Sequence, residues 1–221
     1  MPGRTGGAGR RPGPGRRHLD PFAPVPLADL PIPIYGGREI NDAPERRTAL
    51  RAGAFKTERP SMSDPLARIA ALLAASGDPA NPDPETLREL LESTRMVAVV
   101  GLSRNPAKAA RRVPSYLAAK GMEVIPINPH ADRILGRAAN STLDQVEEAV
   151  DLVLIFRPSE QAGSFVDQAA RRPEEPAIWL QTGIQSPEAV ARAREAGRIV
   201  VQDLCIFQVH RSLPQGAIPP P

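Results

Sequence analysis

From residue 96 onward, short apolar runs alternate with longer stretches of helical periodicity. The apolar runs fall at 96–100, 122–127, 151–156, 176–180 and 198–202. Between them, helical patterns lie around 112–120, 159–171 and 186–196, with a shorter one near 142–149. Regular alternation of strand and helix predicts a parallel sheet with helices on both faces. The runs Val97-Ala-Val-Val100 and Leu152-Val-Leu-Ile-Phe156 are apolar throughout, as expected of strands covered on both sides. Helix ends are marked too. Gly121 and Gly197 read as C-caps, while Ser186, Pro187 and Glu188 read as cap, first helical position and first-turn acid. The expected class is α/β, a doubly wound, mostly parallel five-stranded sheet.

Two short helices precede the sheet. One runs from about 65 to 75, carrying Leu66, Ile69, Ala70 and Leu73. The other follows Asp83 and Pro84 and places Leu87, Leu90 and Leu91 on one face. The link at 77–83 reads as a turn cluster rather than a site. Upstream, residues 1–61 are dominated by Gly, Pro and Arg, a composition that buries too little apolar surface to offset backbone ordering, so a disordered arm is expected. Met62 is followed by Ser63, Asp64 and Pro65, a cap and a proline at the first helical position. That pattern suggests a native start at Met62, with the preceding arm an artefact of an upstream start codon. The expected organisation is an arm at 1–61, leading helices at 62–94, the sheet domain at 95–210 and a flexible Pro-rich tail at 211–221.

Charge changes this picture little. The chain carries a formal +3, but residues 1–61 hold 11 Lys and Arg against 6 acids, and the remainder holds 17 against 19. The basic excess belongs to the arm, which at most touches phosphates non-specifically, so no specific nucleic-acid partner is expected. No run of about 18 apolar residues exists and no signal-peptide core is evident, which points away from membranes and towards a cytoplasmic location. A single cysteine, Cys205, fits a reducing compartment.

Ligands of open parallel sheets bind beyond the carboxyl ends of the strands. The segments that follow the five runs are polar or turn-forming: Gly101-Leu-Ser-Arg-Asn-Pro106, Asn128-Pro-His130, Arg157-Pro-Ser-Glu160, Gln181-Thr-Gly-Ile184 and Asp203-Leu-Cys205. Gly101 ends the first strand where a phosphate-binding turn belongs, because a residue without a Cβ lets the backbone bend and approach an anion. The Gly-Lys-Ser/Thr of a P-loop does not follow it. Position 103 is Ser rather than the second glycine of a dinucleotide fingerprint, and the second strand ends in Asn128 and Pro129 instead of an acid for a ribose hydroxyl, which disfavours NAD. The connection to the first sheet helix instead carries Arg104, Lys108, Arg111 and Arg112, an excess of cation suited to a phosphate-rich ligand. No catalytic constellation and no metal site stand out. His18, His130 and His210 lack ligand spacing, and Ser103 has no nucleophile elbow around it. Cys205 reads as a small buried hydrophobe and Trp179 as core.

Several of these motifs occur together in one family. The 101–106 turn, Val113, Tyr116, Leu117, Gly121, Val124-Ile-Pro-Ile-Asn-Pro129, Leu135-Gly136, Asp151-Leu-Val-Leu-Ile-Phe-Arg157, Trp179-Leu-Gln-Thr-Gly183 and Asp203-Leu-Cys205 resemble the small stand-alone bacterial CoA-binding proteins. These are similar to the CoA-binding domain of the succinyl-CoA synthetase alpha subunit. The resemblance covers about residues 90–207 and implies a Rossmann-like domain that binds coenzyme A or an acyl-CoA noncovalently, without catalysis of its own. It places Gly101, Ser103 and Arg104 at the pyrophosphate; Leu102 belongs to the same turn, and Lys108, Arg111 and Arg112 are the further cations whose charge suits phosphate contact. Asn128 and Pro129 would lie near the adenosine, and Phe156, Arg157, Pro158 and Ser159 along the ligand opposite; His130, on the rim beyond the second strand, is either a ligand contact or an exposed loop histidine. For Cys205 the alternative to a buried hydrophobe is a thiol near bound CoA that forms a mixed disulfide, which requires an exposed sulfur of low pKa. Two other readings remain open: an NAD(P)-binding redox-sensing or oxidoreductase domain, and an accessory CoA-binding subunit of an acyl-CoA ligase.

Departures from the family pattern bear on the site. Ala110 stands where relatives often have Ser, and Pro114 is expected within the first turn of its helix, where the missing N–H is harmless. The tail Asp203-Leu-Cys-Ile-Phe-Gln-Val-His210 also differs, and packing against a second copy in a homodimer is one reading of it.

Overall fold

The computed structural model describes residues 64–214. The expectations for the arm, for a start at Met62 and for the last seven residues lie outside them. Asp64 accepts a hydrogen bond from Leu66 N (3.0 Å) and Pro65 takes the first position of α1 (Pro65–Ala74). Asp83 caps α2 (Pro84–Ser93) in the same way, through the N–H groups of Glu85 and Thr86. Both helices therefore begin where a carboxylate meets the unsatisfied donors of a first turn.

The sheet alternates as the sequence predicts. β1 (Met96–Val100) leads through α3 (Ala109–Ala119) to β2 (Glu123–Ile127). After a small hairpin of β3 (Arg133–Ile134) and β4 (Arg137–Ala138) and one 3-10 turn at Leu143–Gln145, the chain returns as β5 (Leu152–Ile155). Then follow α4 (Ser159–Ala170), β6 (Ala177–Leu180), α5 (Pro187–Glu195), β7 (Val200–Val201) and α6 (Ile206–Ser212). The five sheet strands are all parallel, in the order β2-β1-β5-β6-β7. This is the Rossmann-like arrangement, with the direction of winding reversing between β1 and β5.

Alternation along each strand sorts the core into two layers. Val97, Val99, Leu152, Leu154, Trp179 and Val201 pack with residues of α1, α2, α3 and α6. Ala98, Val100, Val153, Ile155, Ile178, Leu180 and Val200 pack with α4 and α5. Trp179 is fully buried and donates its indole N–H to Leu204 O at 2.7 Å, as a buried indole requires.

Four local features differ from the sequence pattern. The stretch near 142–149 holds only the 3-10 turn, its cap made by Thr142 and Gln145. The β3–β4 hairpin is too short to show as a periodic run. The tail after Cys205 forms α6, and Leu213 beyond it is buried. Pro114 is not in the first turn of α3 but is its sixth residue, and it is buried.

Candidate functional site

The reversal of winding brings the end of β1 beside the end of β5. Gly101 adopts φ +82°, and a Cβ placed on it would stand 2.7 Å from Phe156 O and 2.9 Å from Arg157 Cδ. Glycine is thus required twice, for its backbone conformation and for the close approach of the neighbouring chain. Beyond it the chain folds through nested turns. Asn105 N donates to Ser103 Oγ (3.1 Å), Ala107 N to Asn105 Oδ1 (2.9 Å) and Lys108 N to Asn105 O (3.2 Å).

Pro114 completes this turn from inside the helix. Lacking an N–H, it leaves the carbonyl of Ala110 without its usual partner four residues on. That carbonyl accepts the backbone N–H of Ser103 at 3.0 Å. The expected tolerance of Pro114 therefore has a different physical basis: the vacated acceptor ties the glycine turn to the helix. It also means that the Ser103 N–H is committed within the protein. Among the described residues, the N–H groups of Leu102, Ala109 and Ala110 take no protein acceptor, and the last two belong to the positive first turn of α3.

The expected site residues divide by what holds them. Asn128 acts as a clamp, with Nδ2 donating to Leu102 O (2.8 Å) and Oδ1 accepting from His130 N (2.8 Å). Pro129 and His130 are exposed beside it. Leu102 is fully buried, so only its backbone faces the turn region. Arg104, Lys108 and Arg112 are exposed, and Arg111 is half-buried. Phe156 packs against the core layer shared with α3 and α6. Pro158 caps α4, and the hydroxyl of Ser159 accepts Gln185 N at 3.0 Å, linking the loops after β5 and β6.

Arg157 is the most informative of the set. It is half-buried against Gly101, donates Nη2 to the neutral Gln161 Oε1 (2.7 Å), and its Nε is buried without a hydrogen-bond partner. Seven arginines among the described residues are half-buried. Five of them, Arg88, Arg137, Arg172, Arg194 and Arg198, pair with a carboxylate. The two without one are Arg111 and Arg157, which belong to the segments following β1 and β5, on either side of the winding reversal.

The far end of the rim holds Asp203, which the sequence placed after the last run, together with Asp78 and Asn81 of the 77–83 link, which it read as a plain turn. Asp203, at φ +54°, accepts Gly183 N (2.6 Å), Gln185 Nε2 (2.8 Å) and Gly77 N (3.2 Å). Asn81 bonds both backbone groups of Gln202, each at 2.9 Å. Asp78 accepts Arg194 Nη2 (2.8 Å) and Gln202 Nε2 (3.0 Å). Burial pushes the Asp78 carboxyl up, but these donors, the Ala80 N–H and the Arg194 charge outweigh it and hold the group below the usual carboxylate range. The 77–83 link is therefore fastened to the end of β7. No short-range pattern in the sequence announces this, because its partners lie more than 100 residues away. Cys205, expected to be buried, is instead partly exposed, because it stands at the N-cap of α6 rather than within the sheet.

A second polar pair lies between α3 and α6. Tyr116 OH and His210 Nδ1 are 2.9 Å apart, and Phe207 meets the tyrosine ring edge-on at 4.7 Å. Burial, then the charge of Lys120, lowers the His210 pKa, while burial raises that of Tyr116. Among the described residues, no cluster of His, Cys, Asp or Glu has the makings of a metal site, and no helix is long and apolar enough to cross a membrane.

Comparison with known proteins places this geometry. The model of a family described as a CoA binding domain matches residues 95–211. An uncharacterised Bacillus subtilis protein, YneT, is 35% identical over 130 residues, spanning 59% of this chain and 96% of its own length. Among solved structures, the Thermus thermophilus protein "cell-free ID.343" is 32% identical with a TM-score of 0.55, covering 58% of this chain and 98% of that one. A hypothetical protein from Pyrococcus horikoshii OT3 is 30% identical with a TM-score of 0.55, covering 58% and 90%.

Proposed function

This chain belongs to the CoA binding domain family, and from that premise we propose that the crevice between the ends of β1 and β5 binds coenzyme A or an acyl-CoA noncovalently. The observation that supports it best is the pair of half-buried arginines without a carboxylate, Arg111 and Arg157, in the two segments that part at the reversal. Removing a guanidinium from water is costly unless an anion compensates it. A ligand pyrophosphate supplies that anion, and the free N–H groups of Ala109 and Ala110 at the start of α3 add donors for it. Arg104 and Lys108, both exposed, draw the phosphates in from solution.

In this reading the adenosine lies towards β2, over Asn128, Pro129 and His130. The Asn128 carboxamide is already used on Leu102 O and His130 N, and offers no acid to a ribose hydroxyl. We assign the domain binding rather than chemistry. Ser103 Oγ is engaged by Asn105 N, and His130 is exposed beyond β2. Isothermal calorimetry of the full chain with CoA and with NADH tests the proposal. Saturable CoA binding that weakens with added salt is the expected result; binding of NADH with none of CoA overturns it.

A further inference from the structure

The 77–81 turn belongs to the leading helices, outside the residues matched by the family model, yet it is bonded to the rim of the sheet at the end of β7. Asp203 holds it from one side, accepting Gly77 N as well as donors from Gly183 and Gln185. A Cβ on Gly77 would collide with the Asp203 carboxylate and stand 2.6 Å from Gln185 Nε2, so the turn and the rim are in close contact there. On the other side, the Asn81 carboxamide takes the N–H and C=O of Gln202.

Distance along the rim gives this contact a meaning. With strands about 4.8 Å apart, the three steps from β1 through β5 and β6 to β7 amount to about 14 Å. The pantetheine arm of coenzyme A has about twelve bonds between its phosphate oxygen and its sulfur. At about 3.6 Å for every three bonds of extended chain, the arm also reaches about 14 Å. An arm anchored by its pyrophosphate at Gly101 and laid along the rim ends where the turn begins.

We propose that the 77–81 turn is the far wall of the ligand crevice, that the thiol end of coenzyme A is seated beside Asp203 and Gln185, and that the protein therefore accepts free CoA or a short acyl-CoA and excludes longer acyl chains. This rests on the coenzyme A reading. An acyl group of several carbons on the sulfur has to displace Gly77 or break the Asp203 hydrogen bonds, whereas an acetyl group adds only two carbons.

Calorimetry of the full chain with CoA, acetyl-CoA and octanoyl-CoA tests the wall. Acetyl-CoA is expected within about threefold of CoA, and octanoyl-CoA at least about tenfold weaker. Asp203→Gly, which retains the positive φ but removes the carboxylate, is expected to narrow the gap between CoA and octanoyl-CoA to about threefold. Octanoyl-CoA binding the native chain as tightly as CoA overturns the wall and leaves the coenzyme A reading intact. Failure of all three ligands to bind overturns both. Should the variant not fold, the native series alone decides.

Discussion

The N–H of Ser103 occupies the carbonyl of Ala110 at 3.0 Å because Pro114, four residues further along α3, has no N–H to offer it. A helix defect and a turn are in this way one structure. Pro114→Ala restores a competing donor, so the Ser103 amide is expected to lose protection, exchanging at least about tenfold faster with deuterium. Unchanged exchange at Ser103 would mean that the turn holds without the vacancy.

Gly101 has its own prediction. Gly101→Ala sets an alanine at φ +82° with its Cβ against Phe156 O and Arg157 Cδ. Conformational strain and overlap together are expected to destabilise the fold by about 2–4 kcal/mol. Urea denaturation measures it, and a loss below about 1 kcal/mol would show that β1 and β5 separate readily at this end.

The two classes of cation should behave differently. Arg157 is half-buried, whereas Arg104 is exposed. Arg157→Gln is expected to weaken CoA binding by about tenfold or more, and Arg104→Gln by about twofold, the exposed charge being screened by water and salt. Calorimetry at two salt concentrations separates them. Equal losses would remove the special role of the uncompensated guanidinium.

His210 makes stability depend on pH. Burial, then the charge of Lys120, lowers its pKa. The unfolded chain takes up a proton near the ordinary histidine pKa of about 6.5, before the folded one does. The unfolded state then binds more protons, so stability rises with pH through this window. It is full above about 6.5 and is lost as pH falls from there towards the folded pKa. His210→Gln should flatten the urea midpoint between about pH 7 and 5. A variant that keeps the native slope would assign it elsewhere.

Asp78 and Arg194 form the most enclosed ion pair joining the leading helices to the sheet domain, with side chains 8% and 24% exposed. Arg194→Met strands the carboxylate. The expected loss is about 2–3 kcal/mol, less than for a fully buried pair because the arginine retains some water. Chemical denaturation of the single and double variants with Asp78→Asn checks it, since a true pair shows coupling in the cycle.

Much of the sheet was legible because its strands are short apolar runs covered on both faces, and those runs became β1, β2, β5, β6 and β7. The place proposed for the ligand rests on Gly101 and on the order of strands that alternation implies. Other features are written in long-range partnerships. Asn81 meets Gln202 and Asp78 meets Arg194 across more than 100 residues, and nothing local distinguishes such an Asn or Asp from an ordinary turn residue. The role of Pro114 was hidden for a related reason. Its effect is exerted on Ser103 through a carbonyl it vacates, and propensity measures only the loss to the helix. The uncompensated state of Arg111 and Arg157 likewise needs every other arginine's partner to be known first.

The double hydrogen bond from Asn81 to Gln202 has a consequence for association. An amide that takes both backbone groups of a rim residue does the work of one more strand, so the open side of β7 presents no free pair at that point. On the opposite side, Pro126 has no N–H, and its carbonyl and the Asn128 N–H are already taken by Asn140. A second copy of the chain finds neither flank available for zipping sheet to sheet at these positions.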